Sequence, residues 1–271
     1  MKDGKISKYF IIAVCLLILV SSASGWCSQQ VDNSIYAGLL KKFVKNGVVD
    51  YAGLKKNEAE VDKYVTLLKQ TNPQNLSRNE RLAFYINTYN INAMKIVIGG
   101  YPGIHSIKDM GSIFRSVWTK KVFKIGGHSA SLDDIENRVR GFHDPRVHFA
   151  LNCASKSCPP LRSQPYEGDM LNQQLDSAAR AFINNPHSNY LKGNTLYLSK
   201  IFDWYAGDFE KWYLANKGGT ASAARVGGDS DGGVLAFFMR YAKPDLKKKL
   251  EERASRIEIE YLPYDWSLDG K

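Results

Sequence analysis

The chain has 271 residues, of which 44% are hydrophobic, 12% aromatic and 24% charged. These proportions exclude an intrinsically disordered protein and are typical of a packed globular domain. Lysine and arginine outnumber aspartate and glutamate by 37 to 27, which gives a formal net charge of +10. The basic residues are scattered, without interleaved aromatic residues, so they do not indicate a nucleic-acid partner. They are typical of solvated helix faces, and peripheral contact with an anionic surface of the cell envelope is the alternative.

The N-terminal region has the three-part pattern of a secretory signal peptide. Three lysines precede an apolar run over residues 9–20, and small residues follow up to a cleavage site after Gly25. An apolar run of this length is too short to span a bilayer comfortably. We therefore predict removal of residues 1–25 and export to the periplasm or the extracellular space. Removal takes away three lysines and one aspartate, so the charge falls from +10 to +8.

The first half of the remaining chain is predicted to be mainly helical. Residues 32–72 carry two amphipathic helical patterns joined by a short extended link. Ser77 is followed three residues later by Glu80, the spacing of a capping box, and a helix over residues 80–98 is apolar on nearly every face. We expect this helix to be central. A strand over residues 119–125 and a second capped helix that begins after Ser131 follow.

The second half mixes strands and helices. Residues 147–153 are apolar and predict a buried strand that leads into a polar loop. Further along, the patterns predict helices over 171–183 and 234–241, strands over 195–198 and 257–262, and a flexible glycine-rich loop over 218–233. The sequence thus predicts a single α+β domain over residues 32–271, with several helices packed around a small antiparallel sheet.

Reactive side chains are concentrated where the predicted strand over 147–153 ends. His148, Asn152, Cys153 and Cys158 occur within eleven positions, and loops at strand ends are where folds often place functional groups. In a regular strand, side chains alternate between faces, so His148 and Cys153 point apart unless the chain bulges near Asn152. Cys158 lies on the loop and reaches back more freely.

Three explanations of this cluster remain open. The first is a thiol hydrolase with His148 as base, Cys153 as first-choice nucleophile and Cys158 as second. The second is a Cys153–Cys158 disulfide in a non-catalytic protein, because an oxidising compartment permits such a bond. The third is a metal site formed by the same three residues, although their spacings differ from those of zinc modules.

Other polar residues are candidates for supporting roles. Asn152 is a candidate oxyanion donor, and Glu136 or Asp203 is a candidate to orient the imidazole. Asn87 and Asn90 lie one turn apart on the central helix and, with Asp203 and Trp204, are candidates for substrate contact. The structural alternative is that both buried amides satisfy backbone groups, and that the aromatic residue belongs to the core.

Several unusual short sequence motifs occur in a fixed order and resemble those of the DUF547 domain family. They are RLAFYINTYN at 81–90, YP at 101–102, SLDDIE at 131–136, the run over 145–160, DWY at 203–205, DF at 208–209 and YDW at 264–266. The resemblance extends over about residues 78–242. It implies an exported bacterial protein whose fold is similar to papain-like or transglutaminase-like cysteine hydrolases.

The function predicted first is thiol-dependent hydrolysis or acyl transfer on a small peptide-like amide substrate outside the cytoplasm. The alternative is a non-catalytic exported binding or scaffold domain with a Cys153–Cys158 disulfide. We expect neither a cofactor nor a bound metal. The partners expected are a small molecule or peptide as substrate and the anionic envelope surface, and the pattern does not determine the oligomeric state.

Overall fold

The computed structural model describes residues 30–112, 115–216, 229–253 and 256–271. The predicted signal peptide over residues 1–25 lies outside these ranges, as do residues 218–228 of the predicted glycine-rich loop. Residues 229–233, which we expected to belong to that loop, instead form the first part of a helix. Among the helices of the described ranges, none combines the length and the apolar character that a membrane crossing requires.

Helices dominate the described part of the chain. Ten α-helices occur there: α1 Ser34–Phe43, α2 Tyr51–Lys56, α3 Glu58–Gln70, α4 Arg78–Gly100, α5 Leu132–Arg140, α6 Leu171–Ile183, α7 Lys200–Trp204, α8 Ala206–Ala215, α9 Asp229–Tyr241 and α10 Pro244–Glu252. The helices predicted within residues 32–72, at 80–98, after Ser131 and at 171–183 are confirmed. Their hydrophobic periodicity was therefore a sufficient signal.

The strands are short and form three small sheets. They are β1 Val44–Lys45, β2 Val48–Val49, β3 Phe123–Ile125, β4 His128–Ala130, β5 Tyr190–Lys192, β6 Thr195–Leu198 and β7 Glu258–Tyr261. The pairs β1–β2, β3–β4 and β5–β6 are antiparallel, whereas β6 and β7 are parallel. The predicted α+β class is confirmed. The parallel pair arises because helices α7 to α10 separate its two strands in sequence, and a parallel connection needs such a crossover.

Helix α4 forms the centre of the first half of the fold. Every residue from 82 to 94 is buried, as its apolar pattern predicts. Ser77 caps the helix by accepting the Glu80 backbone N–H at 3.3 Å. The Glu80 carboxylate does not complete the capping box that the spacing predicted; it accepts the Gly168 backbone N–H at 3.1 Å. The cap therefore also ties the loop before α6 to the start of α4.

Two clusters of buried apolar residues meet beside His148. The first cluster includes α1 to α5 and the first half of α6, and the second contains the rest of α6 with β6 and α7 to α10. Val147 belongs to the first cluster and Phe149 to the second. The short segment that carries His148 is thus fixed from both sides.

The predicted strand over residues 147–153 is wrong, because Pro145–Phe149 is a 3-10 helix. Asp144 caps it by accepting the Arg146 backbone N–H at 3.1 Å. Pro145 occupies the first turn, where its fixed φ suits a helix and its missing N–H is not needed. Side chains alternate between two faces only in a strand. The expectation that His148 and Cys153 point apart therefore does not apply. The strand expected over 119–125 is likewise reduced to β3.

Candidate functional site

A buried histidine lies at the centre of the candidate site. The side chain of His148 is 1% exposed, and its Nε2 lies 3.0 Å from Asp208 Oδ2. Arg140 on α5 donates to both oxygens of the same carboxylate, at 2.7 and 3.2 Å. The Tyr205 ring stacks on the imidazole with 3.9 Å between centroids. These contacts fix the plane and the tautomer of the histidine.

Electrostatics favour a neutral imidazole. Burial lowers the pKa of His148, and the hydrogen bond to Asp208 only partly opposes this effect. Burial disfavours the charged form of Asp208, yet hydrogen bonds from His148 and Arg140 outweigh it and hold the pKa of that carboxyl well below its usual range. The neutral ring therefore donates from Nε2–H to a carboxylate. Its Nδ1 keeps a lone pair that can accept a proton.

A second carboxyl group lies close to this pair. The Tyr205 hydroxyl donates to Glu136 Oε1 at 2.8 Å. Burial raises the pKa of Glu136, against the hydrogen bond from Tyr205 and the charge of Arg140. Burial also raises the pKa of Tyr205, so its hydroxyl keeps its proton and remains a donor. Tyr205 thus contacts both the imidazole, through its ring, and the acid, through its hydroxyl.

The two sulfur atoms are joined. Cys153 and Cys158 form a disulfide, with their Cα atoms 6.3 Å apart. The Tyr264 hydroxyl donates to Cys158 Sγ at 3.1 Å and lies 3.3 Å from Cys153 Sγ. The Cys153 backbone N–H also points at Cys158 Sγ, at 2.9 Å. Two hydrogen-bond donors thus surround the Cys158 sulfur.

His148, Glu136 and both cysteines line a single pocket of about 70 Å³. Aromatic side chains form much of its wall. Tyr264 lies 4.5 Å from Trp266 and 4.7 Å from Trp204, and Trp118 lies 5.3 Å from Trp266, centroid to centroid. A second pocket of about 330 Å³ reaches His148 and Asp208 from the side of α8. His148 therefore lies between two pockets, although its side chain is buried.

The side chain of Asn152 is fully engaged in hydrogen bonds within the protein. Its Nδ2 donates to the Pro159 carbonyl at 3.0 Å and to Asp269 at 2.8 Å, and its Oδ1 accepts the Ala154 backbone N–H at 2.8 Å. These bonds use both amide protons, so none is left for an oxyanion in this arrangement. Asn152 instead holds the loop that bears the cysteines.

Residues 265–271, here named the C-terminal strap, cross this cysteine loop. The Lys156 backbone N–H donates to the Ser267 carbonyl at 2.9 Å, and the Asp269 N–H donates to the Ala154 carbonyl at 3.2 Å. Asp269 also accepts the Tyr51 hydroxyl at 2.6 Å. The strap therefore joins the cysteine loop to the start of α2, and it supplies Trp266 to the pocket wall.

The residues predicted to contact substrate are separated by the fold. Asn87 forms two hydrogen bonds with the Tyr166 backbone, at 2.8 and 2.9 Å, and Asn90 bonds to the backbone of Ala150 and Asn152. Asp203 pairs with Lys200 at 2.7 Å on the outer side of α7. Of the four predicted contact residues, Trp204 is the one found among those lining the pocket.

Some site residues were missed by sequence reasoning. Asp208, rather than Glu136 or Asp203, is the carboxylate bonded to His148. Tyr264, Trp118 and Trp266 also line the pocket without having been named as site residues. Asp208 and Tyr264 do lie within the motifs that carried the family resemblance, which was the available signal. Within the described ranges, no group of three or more histidine, cysteine or acidic side chains is arranged to hold a metal ion.

Comparison with known proteins gives one family match. Neither the curated proteins nor the solved structures contain a match to this chain. Residues 73–183 match the sequence model of DUF547, described as a protein of unknown function. This segment includes α4, α5, His148 and both bonded cysteines. Over this segment the chain is therefore similar to the DUF547 family.

Proposed function

We propose that the pocket between His148 and the two sulfurs is the active site of a thiol-dependent hydrolase or acyl transferase. It would act, in the reduced protein, on a small peptide-like amide outside the cytoplasm. The observation that carries the proposal is that His148, Cys153 and Cys158 line one pocket, while Asp208 orients the imidazole. Nucleophile, base and orienting group are the three parts that thiol catalysis requires.

The chemistry follows from the neutral imidazole. Nδ1 of His148 takes the thiol proton as Sγ attacks the carbonyl carbon of the amide, so a C–S bond forms. The C–N bond then breaks, and the imidazolium gives its proton to the leaving amine. Water, deprotonated by His148, attacks the resulting thioester and releases the acid and the thiol. In the transferase reaction, a second amine or alcohol replaces water.

Accessibility favours Cys153 as the attacking residue. Cys153 is half-buried, whereas Cys158 is 8% exposed. The two donors around Cys158 Sγ would stabilise a thiolate on that atom. Cys158 therefore remains the second candidate for the nucleophile, although it is more buried than Cys153. A pocket of about 70 Å³ holds few atoms, so most of a substrate would lie outside it, against the exposed ring of Trp204.

Alkylation of the reduced protein tests the base. Iodoacetamide incorporation at each cysteine, followed by mass spectrometry across pH, should show Cys153 reacting about tenfold faster at pH 7 than free cysteine. His148→Gln should remove this advantage, because it removes the group that accepts the proton. The matched control is His187→Gln, which replaces an exposed histidine. Equal alkylation rates in the two variants would refute a base role for His148.

The Cys153–Cys158 disulfide favours a second candidate, a non-catalytic binding domain. A permanent disulfide leaves no thiol in the pocket, and the aromatic wall would then bind a ligand without reaction. Intact mass before and after reduction measures the bond as a gain of about 2 Da. Alkylation at the ordinary rate after reduction, together with that mass gain, would favour the binding domain over the enzyme.

Export is part of the proposal and is supported by the N-terminal pattern alone. Cleavage after Gly25 would give a mature chain that begins at Trp26. Fractionation of cells that produce the full chain, with mass measurement of the envelope or medium form, checks this directly. An intact N-terminus in the cytoplasmic fraction would contradict export.

A further inference from the structure

A second pocket of quite different character lies between α3, α4 and β3. It has a volume of about 510 Å³, within the range typical of small-molecule sites. Val65, Ile96, Met110 and Val117 form much of its wall, and Phe123 is the aromatic residue among the described lining residues. A mainly aliphatic wall suits a flexible aliphatic group better than a planar ring.

Helix α4 presents one face to this pocket. Asn92, Lys95, Ile96 and Gly99 line it, with the spacing i, i+3, i+4 and i+7 that places side chains on one side of a helix. A Cβ added at Gly99 would have one neighbour within 4 Å, Met110 Cε at 3.7 Å. The missing side chain at Gly99 therefore leaves space in the pocket that a larger residue would occupy.

The lining also carries four lysines: Lys69, Lys95, Lys120 and Lys124. No aspartate or glutamate occurs among the described residues that line it. Lys95 pairs with Asp62, and Lys120 Nζ donates to the Met110 carbonyl at 2.6 Å. Within the described residues, Lys69 and Lys124 have no carboxylate at salt-bridge distance. The described lining of the pocket therefore carries a net positive charge.

We propose that this pocket binds a free aliphatic carboxylic acid of medium chain length. The aliphatic tail would occupy the apolar interior, and the carboxylate would lie between Lys69 and Lys124. Lysines that merely cover apolar surface with their stems are common. However, such coverage does not explain an open apolar volume of about 510 Å³ beneath them. The occupant must combine an apolar body with a negative charge, and an aliphatic acid is the simplest molecule that does so.

This inference is independent of the proposed thiol chemistry. The described lining of this pocket shares no residue with that of the pocket around His148. Decanoate binding therefore tests the inference whatever the role of the cysteines.

Calorimetric titration of the purified protein with decanoate, below its micelle concentration, measures the binding. We expect saturable binding of one decanoate per chain, weakened by added salt. Gly99→Leu should weaken it about tenfold or more, because the new side chain fills the pocket. The matched control is Gly38→Leu on α1, where a Cβ meets nothing within 4 Å. Ile96→Phe supplies a second pocket-filling variant should Gly99→Leu fail to fold.

Charge is tested separately. Replacing Lys69 and Lys124 together by glutamine should weaken decanoate binding about threefold to tenfold, whereas replacing exposed Lys45 and Lys192 should not change it. Decyltrimethylammonium, which has the same tail and the opposite charge, should bind at least about tenfold more weakly. Absence of saturable decanoate binding, equal binding of the cation, or unchanged binding in both folded pocket-filling variants would overturn the proposal.

Discussion

Burial and hydrogen bonding act on His148 in opposite directions. Loss of hydration disfavours the imidazolium and lowers the pKa of His148, whereas the Asp208 carboxylate favours the charged form. Burial has the larger effect, so the folded protein holds a neutral ring near neutral pH. A neutral ring bonded through Nε2–H is suited to accept a proton at Nδ1, and it also makes folding depend on pH.

The free energy of unfolding should therefore fall as the solution is acidified. Below pH 6.5 the unfolded chain protonates this histidine while the folded chain does not, so stability is lost by up to about 1.4 kcal/mol per pH unit. Asp208, whose pKa is also lowered in the folded protein, adds a further loss below about pH 4. Urea unfolding between pH 7.5 and 5 should show a shallower pH dependence for His148→Gln than for the control His187→Gln. Identical slopes would show that His148 is protonated alike in both states.

Helix capping fixes the start of α5, which carries the site residues Glu136 and Arg140. Ser131 accepts the Asp134 backbone N–H at 3.1 Å, and Asp134 accepts the Ser131 N–H at 2.9 Å, a complete capping box. Glu136 and Arg140 then lie one turn apart on α5. Each binds a partner from the α7–α8 region: Glu136 accepts the Tyr205 hydroxyl, and Arg140 donates to Asp208.

The prediction of a strand over residues 147–153 is wrong, because a short apolar run does not determine the backbone conformation. An apolar run of this length fits a strand and a buried turn equally well, and the Asp144-Pro145 start was the signal for a helical turn. The His148 partner was harder to predict, because Asp208 lies 60 positions away in sequence. An amphipathic pattern indicates which face of a helix or strand is buried. It does not indicate which side chain, distant in sequence, contacts that face. The contacts of Tyr264 and Asp269 were beyond prediction for the same reason.

The C-terminal strap depends on one close approach. A Cβ at Gly270 would overlap the Val49 carbonyl oxygen and lie 2.8 Å from the Val49 carbonyl carbon. Gly270→Ala should therefore displace the strap and lower the free energy of unfolding by about 1–3 kcal/mol. The control Gly207→Ala, on α8 with nothing within 4 Å, should be neutral or stabilise by about 0.5–1 kcal/mol. Chemical denaturation of both variants measures the difference, and equal stabilities would mean that the strap does not pack tightly.

At the scale of the whole molecule, the site is assembled from parts that no single element contains. The histidine lies between two apolar clusters, its carboxylate comes from α8, and the sulfurs lie on a loop held by the strap. The strap contributes few buried apolar residues of its own, so its hold on the loop consists largely of backbone hydrogen bonds. Segments of this kind open more readily than the core.

Removal of residues 265–271 should therefore loosen the site without unfolding the molecule. The backbone N–H groups of Tyr51, Ala52, Lys156 and Ser157 would lose their strap acceptors, and their hydrogen exchange should accelerate about tenfold or more. Amides of α9, which packs in the second apolar cluster, serve as the internal control and should keep their protection. Hydrogen-exchange mass spectrometry resolves both regions. Loss of protection throughout α9 would mean that the strap supports the entire fold, whereas unchanged exchange at 156–157 would mean that the cysteine loop is held by its disulfide and Asn152 alone.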